Sequence, residues 1–278
     1  MSKKPQDPSG DVPTTGHSWD GIEEYDNPMP RWWLWTFYAC IVWGIGYTIA
    51  YPAWPMIIGA TPGLIGFSTR AQVGEDIQMF LDANAVIDTE LSTADLTTIA
   101  DNPELNQYAV NAGAAVYRTW CVQCHGSGAA GAVGYPNLLD DDWLWGGSIE
   151  DIHFSITHGI RNEVSLDTRY SEMPAFGEIL ESEQIVSVVN FVQSLSGEAN
   201  DPALVAEGAT LYEENCAVCH GDEAMGDREQ GAPNLADAVW LYGGDYDTQL
   251  ETVTNSRFGV MPPWAASAGG RLSDAQVN

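Results

Sequence analysis

Two hexapeptides, "CVQCHG" from Cys121 to Gly126 and "CAVCHG" from Cys216 to Gly221, use four of the chain's five cysteines and follow each pair with a histidine. Cys-x-x-Cys-His is the attachment pattern of a c-type haem: the two thiols add across the vinyl groups of the porphyrin, and the adjoining imidazole reaches the iron. Two covalently bound haem c groups are therefore expected. One sits on Cys121 and Cys124 with His125 on its iron, the other on Cys216 and Cys219 with His220. A pair of zinc knuckles or a redox-active dithiol would need only the cysteines and leaves both histidines unexplained.

Behind each motif the chain reaches a methionine followed by proline, Met173 in "MPAFG" and Met261 in "MPPWA". A thioether is a soft, neutral ligand for the sixth iron position; it raises the reduction potential and leaves no open site for a substrate. Such centres hold and pass electrons. Met225 stands too close to His220 to swing over the opposite haem face, and Met29, Met56 and Met79 have no haem motif upstream, so these four are read as packing residues. His158 aligns with Asn255 of the second copy, and His153 also lacks a histidine counterpart; these two and His17 are assigned polar surface or supporting roles.

The elements that must position these groups are duplicated as well. "NPELNQYAVNAGAAVYRTWCVQCHG" (Asn102 to Gly126) lies over "DPALVAEGATLYEENCAVCHG" (Asp201 to Gly221). Each opens with an N-cap residue and a proline at the first helical position, which predicts a helix leading into each attachment turn. Gly113 and Tyr117 precede Cys121 by the same offsets at which Gly208 and Tyr212 precede Cys216. A glycine inside a helix costs about 1 kcal/mol relative to alanine, so its recurrence at one register predicts another helix crossing closely there.

Downstream, "YPNLLDDDWLWGG" (Tyr135 to Gly147) parallels "APNLADAVWLYGG" (Ala232 to Gly244). "SEQIVSVVNFVQSLSG" (Ser182 to Gly197) carries apolar residues at helical spacing and closes the first copy. "LSDAQVN" (Leu272 to Asn278) matches only the start of that helix. A closing helix across Gly208 and Tyr212 is thus expected from a natural chain that runs on by about a dozen residues.

From Trp32 to Tyr51 the chain is free of charge and apolar enough to cross a bilayer as one transmembrane helix. Trp32, Trp33 and Trp35 at one end, and Tyr51 and Trp54 at the other, are placed like interfacial belts. A cleaved signal peptide would be shorter and nearer the start, and Cys40 within the span is a small apolar side chain. Lys3, Lys4 and Arg31 precede the helix and only Arg70 follows closely, which puts the N-terminus in the cytoplasm. Haem attachment on the periplasmic side of a bacterial inner membrane agrees with that single-pass orientation.

The expected architecture is all-α: one N-terminal transmembrane helix followed by two tandem class I cytochrome c domains. Its boundaries are a cytoplasmic segment at 1–31, an anchor at 32–54, a periplasmic connector at 55–101 with an amphipathic piece around Glu75 to Leu81, and haem domains at 102–198 and 199–278. The formal net charge of −29 excludes nucleic acid as a partner and favours basic ones such as small soluble cytochromes c, although an acidic surface also serves solubility alone.

The segment "DGIEEYDNPMPRWWLWTFYACIVWGIGYTIAYPAWP" (Asp20 to Pro55), followed by two such domains, resembles the di-haem subunit (subunit III) of the cbb3-type cytochrome c oxidases over nearly the whole chain. The resemblance implies a subunit with no oxygen chemistry of its own. It would take electrons from a donor cytochrome c or the bc1 complex and pass them through a mono-haem subunit to a separate oxygen-reducing subunit. It also implies Cys121, Cys124, Cys216 and Cys219 as attachment residues and His125, His220, Met173 and Met261 as iron ligands. Local pairing, His125 with Met173 and His220 with Met261, is the default, and exchange of the methionine loops between the domains is the alternative. The rival functions are a membrane-anchored di-haem shuttle serving another respiratory or dehydrogenase complex, and an enzyme such as a di-haem peroxidase or thiosulfate-oxidising cytochrome. The enzyme would require an open iron position or a different axial ligand.

Overall fold

The structure, a computed structural model, describes residues 12–197 and 199–278. The chain divides into two compact units, the first ending at Ala83 and the second beginning at Asn84.

The first unit opens with a hairpin that the all-helical expectation did not include. Strands β1 (Thr14–Trp19) and β2 (Ile22–Tyr25) run antiparallel with Trp19 opposite Ile22. The turn between them is Asp20-Gly21, whose backbone lies at φ 52° and 85°. Asp-Gly is the pair that a two-residue turn with two positive φ angles favours, so the signal was in the sequence.

Helix α1 (Arg31–Ala50) covers the predicted span up to Ala50, with Tyr51 as its C-cap and none of its residues buried. Its length and apolar composition suffice to cross a membrane. The two threonines inside it return their hydroxyls to its own carbonyls, Thr36 to Trp32 at 3.0 Å and Thr48 to Ile45 at 2.9 Å, so neither needs water. At the C-terminal end, where helical carbonyls lack partners, Leu64 N–H donates to Ile49 and Ile65 N–H to Ala50. The connector is more ordered than its Pro and Gly content suggested. Apart from Gly74 those residues lie before Ser68, and the good helix formers that follow build the 25-residue helix α2 (Thr69–Thr93), which continues into the second unit.

Among the described residues the regular elements of the second unit are all helical, joined by long loops. Helices α3 (Pro103–Val116) and α7 (Val205–Asn215) are the predicted lead-in helices, α4 (Val122–His125) and α8 (Ala217–His220) carry the attachment motifs, and α5 (Ile149–His158) and α9 (Tyr246–Asn255) follow the loops. Asn102 caps α3 as expected, accepting from Glu104 and Leu105 N–H. Asp201 caps a short 3₁₀ turn, Pro202–Leu204, that runs into α7. Helix α6 (Ser182–Ser196) and a single final turn, α10 (Asp274–Val277), complete the set.

The packing of α6 departs from sequence order. It lies against α7 and α9 of the second copy. A Cβ built on Gly208 would stand 2.0 Å from Ser187 O, so the glycine is what lets the two helices touch. Phe191 of α6 packs at a tilt on Tyr212 with ring centres 5.1 Å apart, and Val188 and Val192 join Leu211, Tyr212 and Cys216 in one buried cluster. The helix across Gly208 and Tyr212 is therefore α6, not one C-terminal to Leu272. The reciprocal exchange is made by the C-terminal segment: α10 packs on α3 and α5, Ala275 against the cluster of Leu91, Ile99 and Leu105, and Asn278 Nδ2 donates to Leu91 O at 3.0 Å. At Gly113, where the repeat predicted a second close crossing, nothing stands within 4 Å.

Candidate haem-attachment sites and the two methionine loops

Both attachment motifs fold into the same set of bonds. The final turn of each short helix places the histidine so that its Nδ1 meets a proline carbonyl, His125 with Pro136 at 3.1 Å and His220 with Pro233 at 3.0 Å. A carbonyl can only accept, so Nδ1 carries the proton and Nε2 keeps its lone pair for an iron. The tyrosine four residues before each first cysteine closes the loop behind the histidine: Tyr117 Oη donates to Gly126 O and Tyr212 Oη to Gly221 O, both at 2.8 Å. Leu138 N–H to Ala129 O and Leu235 N–H to Ala224 O, again both 2.8 Å, pin the next turn. Ala129 and Ala224 share the strained left-handed backbone at φ 59° and 58°. The donor set, two thiols and an imidazole oriented through its Nδ1 at each motif, fits a covalently attached haem. The proline carbonyls and tyrosine hydroxyls were not foreseen as functional, although the repeated "PNL" and the tyrosine register marked their positions.

The two sites differ in burial. His220 is 8% exposed, and desolvation lowers its pKa against the pull of the Pro233 carbonyl, which favours the neutral, ligating form. Burial pushes the Cys216 thiol up to about 11 and the Tyr212 phenol up to about 12. At the first site Cys121 and Tyr117 move in the same direction for the same reason. The backbone leading into the first motif is also wider, a π-helical turn over Tyr117–Cys121, where α7 simply ends.

Each methionine loop lies against the other copy. Met261 exchanges backbone hydrogen bonds with Ile160, N–H to O at 3.0 Å and 2.9 Å in return, just beyond α5 of the first copy. Trp264, three residues on, donates its N–H to Ile156 O, and its ring packs on Trp120 at 5.8 Å, beside Cys121. Arg271 stands over the same Trp120 ring. Behind Met173, Phe176 is buried, and a Cβ on Gly177 would meet Thr254 of α9 at 2.9 Å. Both methionines are half-buried.

Of the remaining candidates, His158 takes a supporting role, its Nδ1 3.0 Å from Ser165 Oγ and its ring on Phe154. His153 is half-buried on α5, and His17 is exposed on β1. Met29, Met56, Met79 and Met225 are all more than half exposed, so they are surface residues of this chain and not the packing residues expected.

Sequence comparison connects these features to known proteins. The family described as "Cytochrome C oxidase, cbb3-type, subunit III" matches residues 109–192 and 203–278, and the "N-terminal domain of cytochrome oxidase-cbb3, FixP" matches residues 11–57. The chain is 64% identical over 280 residues to the cbb3-type cytochrome c oxidase subunit CcoP of Cereibacter sphaeroides, an alignment covering 100% of this chain and 95% of the relative. It is 54% identical over 284 residues to CcoP of Rhodobacter capsulatus, with the same coverages. The subunit FixP of Sinorhizobium medicae is 48% identical over 258 residues, 93% of this chain and 89% of that protein.

Proposed function

The chain belongs to the family of cbb3-type cytochrome c oxidase subunit III, and from that premise we propose that it is the membrane-anchored, two-haem electron relay of such an oxidase. The observation that carries this reading is the pair of matched loops, each holding a Cys-x-x-Cys-His motif by the same histidine-to-proline and tyrosine-to-glycine bonds. In this reading Cys121 and Cys124 attach one haem and Cys216 and Cys219 the other, with His125 and His220 as proximal ligands. The exchanged packing favours Met261 opposite His125 and Met173 opposite His220, so residues 102–198 and 199–278 complete each other instead of forming two self-contained domains.

Bound haem iron supplies a one-electron couple. The protein's part is to keep the ligands in place and to keep water away. The Pro136 and Pro233 carbonyls fix the imidazole tautomers, and the tyrosine bonds stop the loops from opening. The cluster around Leu211, Tyr212 and Cys216 dries one face of the second site. With His125 and His220 and the two methionines holding the irons, no position would be left for oxygen, and the chain would relay electrons from a donor cytochrome c or the bc1 complex toward a mono-haem subunit and the oxygen-reducing subunit. Helix α1 holds it in the inner membrane with the N-terminus cytoplasmic and the haem-bearing unit periplasmic.

Purification in mild detergent, with a reduced-minus-oxidised spectrum and a mass for each chain, tests the reading. Co-elution of c-type and b-type haem with oxygen uptake is expected; two c haems on a solitary chain would support the free shuttle instead. The net charge of −29 predicts that reduction by a basic donor cytochrome slows about tenfold or more as salt rises from millimolar to physiological strength. A salt-independent rate in stopped flow would remove the steering argument.

A further inference from the structure

Arginine 161 sits where the two methionine loops come together. It follows α5 by three residues, with its backbone in the left-handed region at φ 49°, a conformation that costs a non-glycine residue about 1–2 kcal/mol. Main-chain bonds on both sides hold it there. Arg161 N–H donates to Arg169 O at 2.8 Å, and the preceding Ile160 exchanges its pair of bonds with Met261.

The side chain then reaches in two directions. Nε donates to Gly259 O at 2.8 Å, and Nη1 donates to Ser171 O at 3.1 Å. Gly259 lies two residues before Met261, and Ser171 lies two residues before Met173. One planar cation therefore bonds the same relative position on both methionine loops. The guanidinium also lies 5.7 Å from the ring centre of Phe258, beside the first of these carbonyls.

Four further facts set this residue apart. The group is half-buried, and the two bonds recorded for it go to neutral carbonyls. Desolvation of the cation is partly offset by Glu172, Tyr170 and Tyr242 nearby. The guanidinium fork has a fixed geometry, so the spacing between the two carbonyls follows from the shape of one group, which a flexible ammonium would not impose. The second copy has no equivalent link: Arg257 turns back to Thr252 Oγ1 of its own helix at 3.1 Å and lies over Tyr242.

We propose that Arg161 is a positioning residue shared by both haem sites, a clamp that holds the Met173 and Met261 loops in register so that both irons keep or lose their methionine together. The proposal rests on the methionine ligation put forward above.

The test uses the intact oxidase carrying R161Q or R161K, in preparations where both c haems remain covalently attached. Two readouts report the methionine bond directly: the far-red charge-transfer band of methionine-ligated ferric haem, and binding of carbon monoxide to the reduced c haems, read at the c-type α-band. Removing a charged hydrogen-bond donor should raise the detached fraction of both haems about tenfold in R161Q. R161K, which keeps the charge but lacks the fork, should fall between R161Q and the native protein. A variant R161Q with the native band and no carbon monoxide binding would overturn the clamp, as would a change confined to one haem. Absence of the band from the native oxidase, or a band undiminished in both M173H and M261H, would overturn the ligand reading itself, and the clamp with it.

Discussion

The two attachment loops are copies, yet the structure backs them with different material. The loop at His220 is supported by a full helix from the other copy: α6 lies across Gly208 close enough that a single added carbon would collide, and Tyr212 is 2% exposed. The loop at His125 is supported by the end of the connector helix and by α10, through Leu91, Ile99, Leu105 and Ala275, and its histidine is less buried than His220. Identical hydrogen bonds can thus sit in surroundings of different dryness. A duplicated sequence fixes the local chemistry of a site, while its burial depends on which distant segment comes to cover it.

The largest effect that would break this comparison comes at Gly208. Gly208→Val must drive α6 off α7 and should destabilise the second site by about 3 kcal/mol or more. Thermal loss of the c-haem Soret band should come at lower temperature in the variant, and an unshifted loss would mean that α6 does not press on α7 there.

Next come the tyrosines. Tyr212→Phe leaves the Gly221 carbonyl without its donor in a dry setting and should cost about 1–3 kcal/mol. At the more exposed Tyr117, water can replace the hydroxyl, and the same change should cost less than about 1 kcal/mol. Denaturant melts of the pair would measure the difference in burial directly, and matched losses would contradict it.

The smallest effect concerns the connector. Tyr108 Oη donates to Asp88 Oδ1 at 2.7 Å, tying α3 to α2, and that bond raises the phenol to about 12 from its ordinary value of 10.0. A folded-state pKa above the unfolded one means that this stabilisation is complete below pH 10 and disappears as pH rises through 12. Tyr108→Phe should remove that alkaline slope while leaving the Tyr212 environment unchanged; a stability profile parallel to that of the native protein would discount the tie.

Much of this was legible in the sequence because it is local. The attachment pattern, the Asn102 and Asp201 caps, the span of α1 and the helix at Ser182 to Ser196 all rest on neighbours a few residues apart. What was not legible depends on which segments meet. Nothing in "SEQIVSVVNFVQSLSG" says whether its apolar face covers its own copy or the other, because both copies offer the same groove chemistry. Gly208 carried the signal that a helix crosses there, and carried it correctly, but could not name the helix. The role of Arg161 is hidden for the same reason, since it lies in a loop between His158 and Met173 that the shorter second copy does not match. The hairpin at Asp20-Gly21 is different: its turn pair was in plain view and was overlooked beside the helical signals around it.

The most direct test of the account is an experimental structure of the oxidase with its haems in place, read at the distal side of the iron whose haem is attached to Cys121 and Cys124. The exchange of segments predicts the Met261 sulfur there, opposite His125, and the Met173 sulfur opposite His220. Finding Met173 on the His125 iron would show that each copy completes its own site, and the crossed architecture would no longer explain the ligation.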